Sequence, residues 1–109
     1  MVEFFLDIVM GNINILYIGR HLEILSTVVR LINANADWSG IGALNDEEAK
    51  CLFQEKKFEI VLLGPGITDE SEKHLRLFFR KQNSNTAVVQ HYGGGSGLLK
   101  TEILMALNA

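Results

Sequence analysis

The chain has 109 residues, of which 48% are hydrophobic and 21% charged, and ten basic residues against thirteen acidic ones give a net charge of −3. This length suits a single domain over residues 1–109 with one core, and the composition excludes both a disordered and a fibrous class. The weak acidic balance supplies no basic field for nucleic acid and no excess charge for a membrane surface, so neither partner is expected.

The first ten residues, MVEFFLDIVM, are apolar but contain two acids and no basic residue. A secretory signal begins with positive charge, and no stretch approaches the roughly 20 apolar residues of a membrane helix. Cys51 is the only cysteine, so no intrachain disulfide can form and a reducing compartment is favoured. We expect a cytoplasmic protein in which residues 1–11 form an extra edge strand, with a short helix or a subunit contact as alternatives.

Four β-rich runs alternate with four amphipathic segments from residue 12 onward. The run from Ile60 to Leu63 has four consecutive aliphatic residues without alternation, which is typical of a central parallel strand covered on both faces. Asn45 before the second helix, and Asp69 followed by Glu72 in the third, are helix N-cap signals. The predicted strands cover residues 12–19, 38–44, 59–63 and 86–90. The predicted helices run from 22 to 35, from the cap Asn45 to about 57, from the cap Asp69 to about 82, and from the cap Ser96 to at least Leu107.

This alternation predicts βαβ crossovers and therefore a three-layer α/β/α sandwich around a parallel sheet of four strands, with residues 1–11 as an added edge strand. Apolar residues at helical spacing, and the aromatic residues, are expected in the core rather than on a recognition surface. The predicted core positions outside the strands' own aliphatic runs are Leu22, Leu25, Val29, Ile32, Trp38, Ala49, Leu52, Phe53, Leu75, Phe78, Phe79, Leu99, Ile103 and Leu107.

The pattern resembles the receiver domain of two-component response regulators, a chemotaxis-receiver type of flavodoxin-like fold. The segment WSGIGALNDEEAKCLFQEKKFEIVLLG, from Trp38 to Gly64, is similar to that family's second strand, second helix and third strand. The run ILYI at residues 15–18 is similar to its first strand, and the resemblance extends over residues 12–92. It rests on pattern rather than on a diagnostic motif, so it implies the fold more than the activity.

The residues that carry the family's chemistry are missing. Receivers hold Mg²⁺ with an acidic pair just after the first strand and accept a phosphoryl group on an aspartate that ends the third. This chain has Gly19, Arg20 and His21 at the first place and Gly64 at the second. Since a hard cation needs oxygen ligands and a guanidinium reverses the local charge, we expect no Mg²⁺-dependent phosphorylation.

The end of the chain also departs from the family. The switch hydroxyl of receivers would fall near His91 and Tyr92, where no serine or threonine stands, and only seventeen residues follow Tyr92. One βα unit is therefore expected to be missing. Lys100 either belongs to the family's lysine strand after a deleted helix or lies in the closing helix, and we favour the closing helix.

The three loops after the first, third and fourth strands should converge at the carboxyl edge of the sheet, where ligands of open α/β sheets bind. Positive side chains and glycine-exposed N–H groups there could hold an anion, although the glycine run at residues 93–97 matches no phosphate or dinucleotide fingerprint. The candidate anion-binding residues are Arg20, His21, Gly64, Gly66, His91, Gly94 and Ser96.

Metal binding and catalysis are weaker alternatives. His21 and His91 could bind a metal with Asp69 or Glu70, but no closely spaced ligand pair supports this, and no metal or other cofactor is expected. Cys51 lies on a helix away from the edge and Ser96 has only His91 as a partner, so an enzyme is not expected.

Two functions remain. The first is a receiver-like module that cannot be phosphorylated and binds a protein, as a homodimer that uses the amino-terminal segment to cover an open edge. The second is a small-molecule binder for a phosphorylated ligand or flavin at the carboxyl edge of the sheet.

Overall fold

The computed structural model of the protein describes residues 13–91 and 96–107, with the side chain of Ser96 excepted. Every element predicted from residue 12 onward is found, with ends within two residues of the prediction. The predicted edge strand in residues 1–11 and the candidate residue Gly94 lie outside the described residues. The elements are β1 (Ile13–Ile18), α1 (Leu22–Asn33), β2 (Trp38–Ala43), α2 (Asp46–Glu55), β3 (Ile60–Leu63), α3 (Asp69–Gln82), β4 (Ala87–Gln90) and α4 (Ser96–Leu107).

The strands form one parallel sheet in the order β2-β1-β3-β4. Alternate residues of the two central strands point to opposite faces: Tyr17 and Leu62 pack toward α1 and α4, whereas Ile18 and Leu63 pack toward α2 and α3. Residues 15–18 and 60–63 are all fully buried. The predicted three-layer α/β/α sandwich is confirmed, and its continuous aliphatic strands are explained by cover on both faces.

The helix faces are largely as predicted, with two corrections. Leu22 and Leu107 are exposed rather than buried, and Val28 instead joins Ile32 on the buried face of α1. Leu22 is the first residue of its helix and Leu107 the last, so each has helical neighbours on one side only. Trp38, and the other predicted aromatic residues apart from the half-buried Phe78, are buried core residues.

Side-chain caps set where two helices begin. Asn45 Oδ1 accepts a hydrogen bond from Glu48 N at 2.8 Å, as predicted for the start of α2. The cap of α3 is Thr68, whose hydroxyl accepts from Ser71 N at 3.1 Å. Asp69 is therefore the first helical residue and not the cap, and its carboxylate stabilises the positive end of the helix dipole.

Lys100 lies on α4 and is exposed, which agrees with the closing-helix alternative. No strand follows β4 in the part of the chain that the structure describes. None of the described helices combines the length and the apolar character that crossing a membrane requires.

Candidate functional site

Three loops meet at the carboxyl edge of the sheet because β1, β3 and β4 are neighbours. Gly64 N donates to Ile18 O at 2.8 Å, and His91 N donates to Leu63 O at 2.8 Å, which continues the strand ladders into the loops. Gly66 has a φ of 91°, which favours glycine, and a Cβ there would touch Arg20 at 3.4 Å. The backbone thus brings together the loops that the sequence predicted to converge.

The side chain of Tyr17 fills the space beside Gly64. A Cβ added to Gly64 would lie 2.7 Å from Tyr17 Cζ, closer still to the phenolic oxygen, and 3.1 Å from the backbone oxygen of Ile18. Real Cβ atoms essentially never come this close to a ring carbon. No side chain fits at residue 64 while Tyr17 keeps this position. Sequence reasoning did not identify Tyr17, although a large polar aromatic residue in an otherwise aliphatic strand was a visible signal.

Tyr17 belongs to a buried polar cluster with His91 and Glu102. The rings of Tyr17 and His91 are edge-on, with centroids 6.0 Å apart, and Nδ1 of His91 is hydrogen bonded to Oε1 of Glu102 on α4. His91 is 3% exposed and the Glu102 side chain 13%. The phenolic oxygen of Tyr17 is buried with no hydrogen-bond partner among the described residues. This cluster connects the end of β4 to α4 and lies beneath Gly64.

The environment of Tyr17 disfavours the phenolate. Burial, and secondarily the carboxylate of Glu102, raise the pKa of Tyr17 above its ordinary value of 10.0. A folded-state pKa above the unfolded one means that the neutral phenol contributes stability below about pH 10. That stability is lost as the pH rises through the folded-state pKa.

Tyr17→Phe is expected to raise the free energy of unfolding by about 1 kcal/mol near neutral pH, because it removes a buried hydroxyl without a partner. The variant should also lose less stability than the parent between pH 9 and pH 11, since it has no phenol to ionise at this site. Urea unfolding at several pH values measures both effects. A lower stability of the variant at neutral pH would mean that the hydroxyl has a partner.

Arg20 is engaged within the fold. Its Nη2 donates to Asp46 Oδ1 at 2.7 Å, and its Nη1 donates to Leu44 O at 3.3 Å, so the side chain joins the loops after β1 and β2. Both members of the ion pair are about one quarter exposed. Asp46 is the acid at this edge that the sequence analysis did not single out, and its partner is 26 residues away. An acid does occur at the rim, but as the counter-ion of an arginine.

The other candidate residues are dispersed. His21 is exposed at the start of α1 and makes no capping hydrogen bond, whereas His91 is buried and turned toward α4. Asp69 and Glu70 are exposed at the start of α3, and Cys51 is exposed on α2. In the described ranges, no three His, Cys, Asp or Glu side chains are close enough to hold a metal ion together. Anion binding at this edge stays a prediction.

Solved structures show what this arrangement resembles. A response regulator receiver domain from Clostridium thermocellum has a TM-score of 0.68 at 15% identity, over 88% of this chain and 94% of that one. The chemotaxis protein CheY4 of Vibrio cholerae has a TM-score of 0.67 at 14% identity, over 87% and 98%. The chain has a receiver-like, flavodoxin-like fold.

Two further solved structures are also similar to this chain. One is the lactose-specific IIB component domain of the phosphoenolpyruvate:carbohydrate phosphotransferase system from Streptococcus pneumoniae, with a TM-score of 0.62 at 11% identity over 89% of this chain and 92% of that one. The other is in a structure of the phosphorylated P1 domain of CheA3 in complex with CheY6 from R. sphaeroides, with a TM-score of 0.57 at 19% identity over 86% and 97%. No family model and no curated protein matches the sequence. The likeness therefore concerns the fold.

Proposed function

We propose that this protein is a receiver-like signalling module that cannot be phosphorylated and acts by binding another protein. The observation that carries the proposal is the packing at residue 64. The position that would hold a phosphoacceptor is Gly64, and the ring and hydroxyl of Tyr17 fill the space that an acceptor side chain would need. A receiver without room for its acceptor keeps only the binding functions of the fold.

The loop after β1 supports the same proposal. Mg²⁺ needs several oxygen ligands in close proximity. The positions after β1 contain Gly19 and Arg20, and the nearby carboxylate of Asp46 is already paired with that guanidinium. A bound cation would have to displace Arg20 from Asp46 and then tolerate its charge.

Protein binding is supported by the distribution of exposed apolar side chains. Eight large hydrophobic residues are exposed in the described part of the chain, and six of them lie on α1 or α4, which share one face of the sheet. Met105 is 68% exposed. Concentrated apolar surface is typical of an interaction site. The six are Leu22, Ile24, Leu98, Leu104, Met105 and Leu107. The neighbour that pairs CheY6 with the P1 domain of CheA3 is a precedent for protein partners of this fold.

The proposal includes self-association, because a homodimer in the cytoplasm would cover the apolar face of α4. Met105→Glu places a charge on that face and is expected to shift sedimentation toward the monomer. Leu77→Glu on α3 is the matched control, since Leu77 is 52% exposed on the other side of the sheet. A wild-type protein that sediments as a monomer at high concentration would contradict the dimer.

Intact mass measurement tests directly whether the protein can be phosphorylated. The purified protein is incubated with acetyl phosphate and Mg²⁺, and its intact mass is measured, with a receiver that contains the acceptor aspartate as the positive control. We expect no added phosphoryl group. A phosphoryl adduct on the chain would overturn the proposal.

A further inference from the structure

The two edges of the sheet differ in how many outward backbone groups have a partner among the described residues, and β4 has the fewer. Ala87 N donates to Glu59 O at 3.0 Å and His91 N to Leu63 O at 2.8 Å, so odd-numbered residues face β3 while Val88 and Gln90 turn their peptide groups outward. Of these outward groups only the Val88 C=O has a partner among the described residues, namely Arg76 Nη1 at 2.9 Å. A carbonyl oxygen can accept a second hydrogen bond, so the edge can still pair with a strand.

At the opposite edge, side chains of the protein pair with the outward groups of Gly40 in β2 and of Leu44 just after it, whereas the peptide groups of Gly42 have no partner among the described residues. Asn33 accepts from Gly40 N at 2.8 Å and donates to Gly40 O at 3.2 Å. Leu44 N donates to Glu48 Oε1 at 2.9 Å, and Leu44 O accepts from Arg20. Proteins commonly protect a permanent edge in this way. Among the described residues, a larger share of the outward groups is therefore unpaired on β4 than on β2, so β4 is the edge more ready to accept another strand.

The two flanks of β4 differ in chemistry. On the α3 side, a cavity of about 180 Å³ is lined by Arg76, Arg80, Ser84, Thr86 and Val88. Arg76 is already paired with Glu72, but Arg80 has no ion pair with any described residue. On the α4 side, a cavity of about 300 Å³ beside the start of β4 is lined in part by Ala87, Ala106 and Leu107. An incoming strand would fit best with acids on one face and apolar residues on the other.

The sequence before β1 has this pattern. From residue 2 to residue 8, the even positions are Val, Phe, Leu and Ile, and the odd positions carry Glu3, Phe5 and Asp7. Because neighbouring residues of a strand point to opposite faces, a strand here would have one wholly apolar face and one face with two carboxylates.

We propose that residues 2–8 dock in the same chain as an antiparallel fifth strand on the outer edge of β4. In the proposed register, Phe5 lies opposite Val88, and Asp7 therefore lies opposite Thr86. Paired residues of an antiparallel ladder point to the same face of the sheet, so Asp7 is on the same face as Arg80. The apolar face then covers the cavity beside Leu107. This inference concerns the edge of the sheet and does not depend on the proposed signalling role.

Chain length permits this docking. A strand outside β4 lies three strand spacings from β1, about 14 Å away. The five Cα–Cα steps from Ile8 to Ile13 span at most about 17 Å when extended. The competing arrangement, β4 against β4 of a second copy, would bring Arg76 and Arg80 of both copies together, and like charges oppose it.

Disulfide trapping tests the docking. In the full-length chain with Cys51→Ser, the pair Phe5→Cys and Val88→Cys is expected to form a disulfide within one chain, because opposed strand residues have Cα atoms about 5.5 Å apart. The matched control pairs Phe5→Cys with Ser39→Cys on β2 and is expected not to cross-link. Disulfide-linked dimers without a disulfide inside one chain would mean that residues 2–8 of a second copy pair with β4, and would overturn the proposal. Equal cross-linking to both positions, or none, would also overturn the proposal.

Amide hydrogen exchange gives a second readout that needs no cysteine. In the full chain, the Val88 and Gln90 amides are expected to exchange at least about tenfold more slowly than in the variant Phe5→Pro, since proline removes a donor and disrupts a paired strand. The Gly42 amide on the other edge serves as the internal control and should not change. Equally fast exchange of Val88 and Gln90 in both proteins would refute the fifth strand.

Discussion

Gly64→Ala is expected to lower the free energy of unfolding by about 2–3 kcal/mol. The new Cβ would lie 2.7 Å from Tyr17 Cζ. Tyr17 is fully buried in the core between the sheet and the helices α1 and α4, so its ring cannot move aside without opening that core. Urea unfolding followed by circular dichroism measures the loss.

Gly97→Ala is the matched control for this substitution. A Cβ on Gly97 would have no heavy atom of the described residues within 4 Å apart from its own chain neighbours and helix backbone, and the residue lies in the first turn of α4. The control should keep or slightly increase stability, because alanine has a lower entropic cost than glycine in a helix. If both alanine variants had the same stability, the contact between Tyr17 and residue 64 would not exist in solution.

Gly64→Asp extends the same argument from stability to chemistry. The carboxylate would need the space of the Tyr17 ring, and Arg20 would still place a positive charge in the neighbouring loop. We therefore expect that the added aspartate is not phosphorylated by acetyl phosphate and Mg²⁺. Phosphorylation of the Gly64→Asp variant would contradict this expectation and would show that this edge of the sheet supports the reaction once a carboxylate is supplied.

The fold could be predicted because its signals are local. The aliphatic run Ile60–Leu63, the helical spacing of apolar residues and the cap at Asn45 each involve neighbours in sequence. The exposure of Leu22 and Leu107 could not be predicted in this way. Periodicity shows which side of a helix is apolar, but the sheet decides how far along the helix that side is covered.

The site was predicted only at the level of its loops. Convergence of the regions around Gly19, Gly64 and His91 follows from strand order and needs no side-chain detail. The side chain that fills the site could not be predicted, because it depends on the register of β1 against β3. In that register Tyr17 is level with Leu62, and this brings the Tyr17 ring beside Gly64. The partner of Arg20, 26 residues away, likewise has no local sequence signal.

Glu102→Leu is expected to lower the free energy of unfolding by about 2–3 kcal/mol, because it leaves the buried imidazole of His91 without its hydrogen-bond partner. Glu47→Leu is the control, since Glu47 is exposed and its Oε1 is 4.0 Å from Nζ of Lys50. The free energy of unfolding of this control should change by less than about 0.5 kcal/mol. Adding His91→Leu to Glu102→Leu should recover much of the loss, because an apolar pair leaves no buried polar atom unsatisfied.

The same variant has a spectroscopic consequence for Tyr17. The Glu102 carboxylate is one of the two causes that raise the pKa of Tyr17, and burial is the larger. Glu102→Leu should therefore move the alkaline titration of the Tyr17 phenol to lower pH, although burial should still keep its pKa above the ordinary value. The titration is followed by ultraviolet absorbance, with Tyr17→Phe as the reference. An unchanged titration together with a loss of stability would mean that Glu102 holds α4 to β4 through His91 alone and has no electrostatic contact with the ring beneath Gly64.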